Sequence, residues 1–268
     1  MRATTTDAAE SQRALDFTRA MVRAAASRTE ALPWGTAYFH DELPQVWDLN
    51  VMRVERLEPS LDAETVAAEA ERVQGAAALD HRRVLFEDET QGAKLTAALG
   101  RAGWVPQRFV VMSHRRAPDR EPAAGVAREV DPEEHLAARA AYARTEPWAR
   151  DEATVGEVIA ADRLTAAAGR ARRFGAFAEG RLGSFCTLYS DGRTAMVEDV
   201  ATHEELRGRG LARAVVSLAT SEAWAAGHDF VFLIADADDW PVKLYRRLGF
   251  EVAGHHHQAQ KLPPGMTL

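Results

Sequence analysis

Cysteine is almost absent. Cys186 is the one copy in 268 residues, so no intrachain disulfide can form. Within the apolar segment Leu182 to Tyr189 it reads as a small core residue rather than a nucleophile. No apolar run is long enough to cross a bilayer. The opening residues, Met1 to Glu10, are polar and lack the apolar core of a secretory leader. An excess of positive charge is missing too. Lys and Arg number 33 against 40 Asp and Glu, a formal charge of -7. That balance argues against nucleic acid as a partner. Nor are basic residues interleaved with aromatics, as a single-strand binder would need. These absences point to a cytoplasmic protein that spans no membrane, and its acidity mildly favours cationic amines.

What is present is an anion-binding turn. Arg207-Gly208-Arg209-Gly210-Leu211-Ala212 lies between an extended segment ending near Thr202 and a helical one running to Gly227. Two glycines allow a ligand close to the backbone. The helix that follows offers unpaired N–H groups and a positive dipole end, which suit a diphosphate. Arg207 and Arg209 add charge at the rim. A Walker loop is excluded, because no Gly-Lys-Ser/Thr follows. A dinucleotide fingerprint fits poorly, because Arg213 holds its third small position.

The pattern that fits is Arg/Gln-x-x-Gly-x-Gly/Ala. It resembles the pyrophosphate arm of the GCN5-related N-acetyltransferase (GNAT) family, which holds acetyl-CoA. Both flanks strengthen the resemblance. Ala195-Met196-Val197-Glu198-Asp199-Val200-Ala201-Thr202 is similar to the family's fourth strand, and Leu244-Tyr245-Arg246-Arg247-Leu248-Gly249-Phe250 to its last helix and the Gly-Phe step after it. One position departs: the family often has asparagine near the start of that helix, where this chain has Asp238.

Apolar periodicity and turn residues set out the rest. The first ten residues read as frayed, and a helix is expected over Ser11–Arg28. Strands are expected over Trp34–His40 and Val46–Val54, then a helix over Asp62–Gln74, a strand over Arg83–Phe86, a helix over Gln91–Arg101 and a strand over Val105–Ser113. A proline-bearing stretch, residues 118–125, reads as a linker. Beyond it come a strand at Val126–Val130, helices near Pro132–Arg144 and Ala153–Ala168, a hairpin turning at Glu179-Gly180, and the strand into the arm. A helix over Leu211–Ala226, a doubly buried strand at Phe230–Ile234, a helix at Trp240–Leu248 and a strand near Glu251–Lys261 finish the pattern.

The two halves resemble each other. His81 to Arg115 and Gly227 to Lys261 both run strand, helix, Gly-aromatic step, strand, and Leu99 falls opposite Tyr245. The resemblance implies an α/β fold with a mixed central sheet flanked by helices, the GNAT fold, and the repeat implies two tandem GNAT-like lobes. Residues 1–117 are expected to form a degenerate GNAT-like lobe without an arm, and 126–268 the catalytic domain.

Acetyl transfer to an amine needs an oriented thioester, a base for the ammonium and an acid or hydrogen-bond donor for the departing sulfur. The resemblance implies that Arg207 to Ala212 hold the pyrophosphate. It implies too that the free backbone of Val200 and Thr202 bonds the pantetheine. Glu198 is the candidate base, nine residues before Arg207, where similar enzymes carry a glutamate. In a regular strand Asp199 would point the other way, to bind the substrate ammonium or to stand in as base. Tyr245 is the candidate acid, aimed by a helix that Asp239 would cap. His255-His256-His257 is not read as a metal site, because neighbours on a strand face opposite ways. The expected activity is acetyl transfer from acetyl-CoA to a small-molecule or peptide primary amine, by a monomer or homodimer. Alternatives are a non-catalytic acyl-CoA sensor and a tandem acetyltransferase similar to mycothiol synthase.

Overall fold

In the computed structural model, which describes residues 5–120 and 124–266, the strands join in a single mixed sheet. The first half supplies α1 (Thr5–Ala25), β1 (Arg28–Leu32), β2 (Gly35–Phe39), β3 (Val51–Val54), α2 (Ala63–Ala70), β4 (Arg82–Phe86), α3 (Glu89–Arg101) and β5 (Val105–His114). The second supplies β6 (Ala127–Glu129), α4 (Pro132–Ala143), α5 (Glu152–Ala168), β7 (Arg172–Ala178), β8 (Arg181–Ser190) and β9 (Thr194–Thr202). It continues with α6 (Leu211–Ala225), β10 (Phe230–Asp236), α7 (Pro241–Arg247) and β11 (Phe250–Lys261).

The strand order is β1-β2-β3-β4-β11-β5-β10-β9-β8-β7-β6. Apart from the extra edge strand β6, it is symmetric about its middle. The units β4-α3-β5 and β10-α7-β11 correspond, yet each last strand has crossed to the other half. β11 runs antiparallel beside β4, and β5 antiparallel beside β10. β5 and β11 then pair with each other from Phe250 opposite His114 to Gln260 opposite Val105. Their apolar residues complete both cores. Val110 and Met112 of β5 join Val215, Val231 and Phe250 in the second half, and Ala259 of β11 joins Val84, Leu95 and Leu99 in the first.

Local chemistry fixes the helices. Asp88 and Asp151 cap α3 and α5, accepting from the N–H groups of Gln91 (2.7 Å) and Thr154 (2.8 Å). On α6, Leu211, Ala214, Val215 and Ala219 make a buried stripe at helical spacing. α1 covers the other face of the sheet, where Phe17 meets Phe232 edge-on at 5.6 Å.

Three readings are corrected. The opening segment is helical from Thr5, because Asp7 and Glu10 both bond Arg115 at the end of β5. Val46–Val54 is not one strand: Trp47–Leu49 forms a 3-10 turn before β3, and the buried Asn50 amide bonds the carbonyls of Leu43 and Val46. The helix expected to reach Arg28 stops at Ala25, and Arg28 opens β1, an edge strand missed by periodicity. Of the proposed linker, residues 121–123 lie outside the described residues.

The exchange makes an expectation about folding. A fragment of residues 124–268 loses β5 and leaves the β10 edge bare beside exposed core. It should lack a cooperative thermal transition, and mixing it with residues 1–120 should restore one. Circular dichroism melts would show it; a lone fragment melting like the full chain would contradict the account.

Candidate active site

β9 and β10 pair in parallel only at Thr194, Ala195 and Met196, opposite Phe230, Val231 and Phe232. Past Met196 they part. β9 carries a bulge: Thr187 of β8 opposes Glu198 and Phe185 opposes Ala201, so β9 spends one residue more than β8. Asp199 takes the strain, at φ 55. An extra residue bends its strand and re-aims side chains. Glu198 and Asp199 therefore do not alternate as expected. Both line one cavity of about 460 Å³. The His203 N–H bonds the Gly183 carbonyl at 2.9 Å, so by strand alternation the backbone of Thr202 faces the open edge, away from β8. Val200 sits two residues earlier, within the bulge and half-buried.

The open edge leads to the arm. Gly208 and Gly210 lie at φ 76 and 80, and a Cβ at either would meet nothing within 4 Å. Glycine is needed there for its conformation, and the space in front stays open. Gly210 is the N-cap of α6 and no side chain caps the helix, so the first N–H groups, from Leu211 and Ala212 on, have no intrahelical or side-chain acceptor. Arg209 pairs with Glu179, and Arg207 Nε donates to the Thr202 carbonyl at 3.3 Å.

The two acids differ in their partners. Asp199 Oδ1 lies 3.0 Å from Arg139 Nη1. Arg139 Nε lies 3.1 Å from Asp162 Oδ2, and Asp162 also pairs with Arg173. Burial raises the Asp199 carboxyl, and Arg139 opposes the rise. Glu198 has no such counter-ion, and its buried Oε2 has no hydrogen-bond partner. Burial, then the nearby charges of Asp199 and Asp48, push Glu198 up to about 8. Arg139 escaped sequence reasoning. Its one signal is a lone charge among Ala137, Ala138, Ala140 and Ala141.

Tyr245 is buried on α7 with its ring edge-on to Phe250 at 6.2 Å. Its hydroxyl has no hydrogen-bond partner among the described residues. Burial and then the Glu198 charge raise the phenol above its ordinary value, so the two groups lie within electrostatic reach. Asp239 does not cap α7; it accepts from the Trp240 N–H at 2.7 Å, and the helix starts without a side-chain cap. Cys186 is fully buried, and burial pushes its thiol well up. His255 pairs with Glu89 at 3.2 Å, while His256 stacks on Phe109 at 5.3 Å. Among the described residues no three potential ligands converge on a metal site.

Residues 131–250 match the family described as Acetyltransferase (GNAT) family. They form a GNAT domain. No curated protein sequence matches the chain. A solved structure of a functionally unknown conserved protein from Staphylococcus epidermidis ATCC 12228 aligns with TM-score 0.68 at 13% identity, over 89% of this chain and 94% of that one. A GCN5-related N-acetyltransferase from Kribbella flavida aligns with TM-score 0.62 at 22% identity, over 95% of both chains. A tandem GNAT protein from the clavulanic acid biosynthesis pathway aligns with TM-score 0.52 at 15% identity, over 81% of this chain and 76% of that one. At such identities the likeness concerns the fold, and the GNAT domain supports acyl transfer.

The GNAT match ends at Phe250, where β11 begins, and the strand beside β10 comes from the first half. Among the described residues, that half shows no counterpart of the arm. β3 and β4 stay paired to their ends, at Val54 opposite Phe86, with a further bond from the Glu87 N–H to the Val54 carbonyl at 3.1 Å. α2 is closed by Asp62, which accepts from the Thr65 N–H at 2.8 Å.

Removing Arg139 would leave the half-buried Asp199 without its counter-ion and the buried Asp162 with Arg173 alone. Arg139→Ala should therefore cost about 3 kcal/mol of stability at neutral pH. Urea denaturation checks this; a loss below about 1 kcal/mol, the scale of an exposed ion pair, would show that the network does not hold the site.

Proposed function

We propose that the chain transfers an acetyl group from acetyl-CoA to a primary amine. The observation that carries this reading is that β9 carries both the Glu198 carboxyl, with its unpartnered Oε2, and the open edge that runs on into the arm. The free N–H groups opening α6, with Gly208 and Gly210 before them and Arg207 and Arg209 beside them, suit a pyrophosphate. The backbone of Thr202 and Val200 along the open edge suits the amides of a pantetheine chain. The co-substrate supplies a thioester carbonyl for attack and a thiolate as leaving group.

Glu198 is the base. Its free Oε2 takes the proton of the incoming ammonium, directly or through a water. Asp199 is committed to Arg139, which leaves it to hold the ammonium rather than to deprotonate it. Tyr245 serves the departing sulfur as general acid. A free thiol has a pKa of about 8.5, and the buried phenol lies above its own ordinary value. The hydroxyl thus acts as a hydrogen-bond donor before any full proton transfer. The first half serves as a degenerate lobe, which closes the acceptor cavity and lends β5 but binds no co-substrate.

The base must be ionised to work, and Glu198 is raised to about 8. The kcat/KM for acetyl transfer should climb as pH rises towards about 8 and level off above it. Glu198→Gln should abolish that limb and lower the rate, as read in a pH–rate series of coenzyme A release. Tyr245→Phe should lower kcat by about 10²-fold with acetyl-CoA affinity unchanged. Unaltered turnover in both variants would remove these roles. Gly210→Val forces a β-branched residue into a left-handed conformation in front of the helix. Calorimetry should find acetyl-CoA binding lost and the melting curve little changed; wild-type affinity would sink the arm.

A further inference from the structure

The acceptor cavity lies between the two halves, and its walls define what it can take. Glu198 and Asp199 stand on one wall. Apolar side chains line it too: Met21 and Val22 of α1, Trp47 and Leu49 of the 3-10 turn, Phe109 of β5 and Val158 of α5. Trp47 is fixed by stacking on the buried His81 at 4.5 Å. A volume of about 460 Å³ lies in the range of small-molecule sites.

Each charge on these walls except that of Glu198 is already matched. Arg83 pairs with Asp48 at 2.5 Å and Arg150 with Asp80 at 2.9 Å. Arg139 is shared by Asp162 and Asp199. Among the described residues each wall arginine already has a carboxylate partner, which a ligand carboxylate or phosphate would have to displace. No carboxylate besides the Glu198–Asp199 pair is left to receive a second ammonium. A ligand carrying either group would have to break such a pair or bury its own charge unpaired, and either costs binding energy. A strip of side-chain amides also lines the cavity, with Gln258 Oε1 accepting from Arg83 Nε at 2.9 Å. Gln258 and Gln260 both donate to Gln107 Oε1, at 2.8 and 3.0 Å. Such a strip can meet a hydroxyl or an amide.

We propose that this cavity takes a monoamine whose single amino group sits on an apolar body of aromatic size, with no carboxylate, phosphate or second ammonium. The inference rests on the acetyl-transfer reading. Trp47, Phe109 and Val158 would enclose the body while Glu198 and Asp199 receive the amino end.

Matched amines test it. Coenzyme A release from acetyl-CoA should be at least about tenfold higher in kcat/KM with 2-phenylethylamine than with phenylalanine, which adds one carboxylate, or with spermidine. Val158→Arg, on α5 and outside both β9 and the arm, should remove turnover of 2-phenylethylamine and leave acetyl-CoA affinity intact. Equal or better use of phenylalanine or spermidine overturns the inference and leaves the transferase reading standing. If acetyl-CoA binds but no amine releases coenzyme A, the transferase reading fails. The cavity is then judged by calorimetry: tighter binding of 2-phenylethylamine than of phenylalanine and spermidine supports it, and the reverse or no binding overturns it.

Discussion

The exchange of β5 and β11 is the constraint on which the molecule depends. β5 belongs to the first half by sequence and to the second by pairing, beside β10. β11 has the reverse allegiance, beside β4. Hydrophobic burial then acts across the junction, since Val110 and Met112 complete one core and Ala259 the other. The halves cannot drift apart as tethered domains do, because separation would break two strand pairings and open both cores. A cavity between them is therefore held as firmly as one inside a single domain. That rigidity suits the proposed reaction, in which an amine must be set against a bound thioester.

A second consequence concerns the acids. The bulge at Asp199 turns two neighbouring carboxyls into one cavity. Two buried carboxylates side by side repel, and the protein separates their roles by giving Asp199 a guanidinium and Glu198 none. Asp162, fully buried between Arg139 and Arg173, anchors that guanidinium to α5. The difference in partners, on which the proposed roles of the two acids rest, thus comes from helices outside the motif-bearing strand.

Much of this was legible in the sequence. The arm from Arg207 to Ala212, the strand before it and the helix bearing Tyr245 were all placed by local spacing, because each is contiguous in the chain. The correspondence of His81–Arg115 with Gly227–Lys261 foretold the symmetric strand order. What escaped was non-local or strained. No periodicity reveals that β5 and β11 trade places, since either sheet position asks for the same apolar alternation. The bulge defeated simple alternation at Glu198 and Asp199, since nothing in Glu-Asp-Val marks a left-handed aspartate. Asp7 and Glu10 made a polar segment look frayed, yet their partner Arg115 lies far along the chain. Arg139 sat unremarked in an alanine-rich helix, because its partners are brought to it only by folding.

The central claim is a division of labour: one half binds the co-substrate and the other closes the acceptor cavity. The symmetric strand order makes a second co-substrate site the obvious rival, while the paired β3–β4 edge and the Asp62 cap on α2 argue against it. Calorimetric titration of the full chain with acetyl-CoA decides between them. The account predicts one equivalent bound per chain; two equivalents, or none, would contradict it.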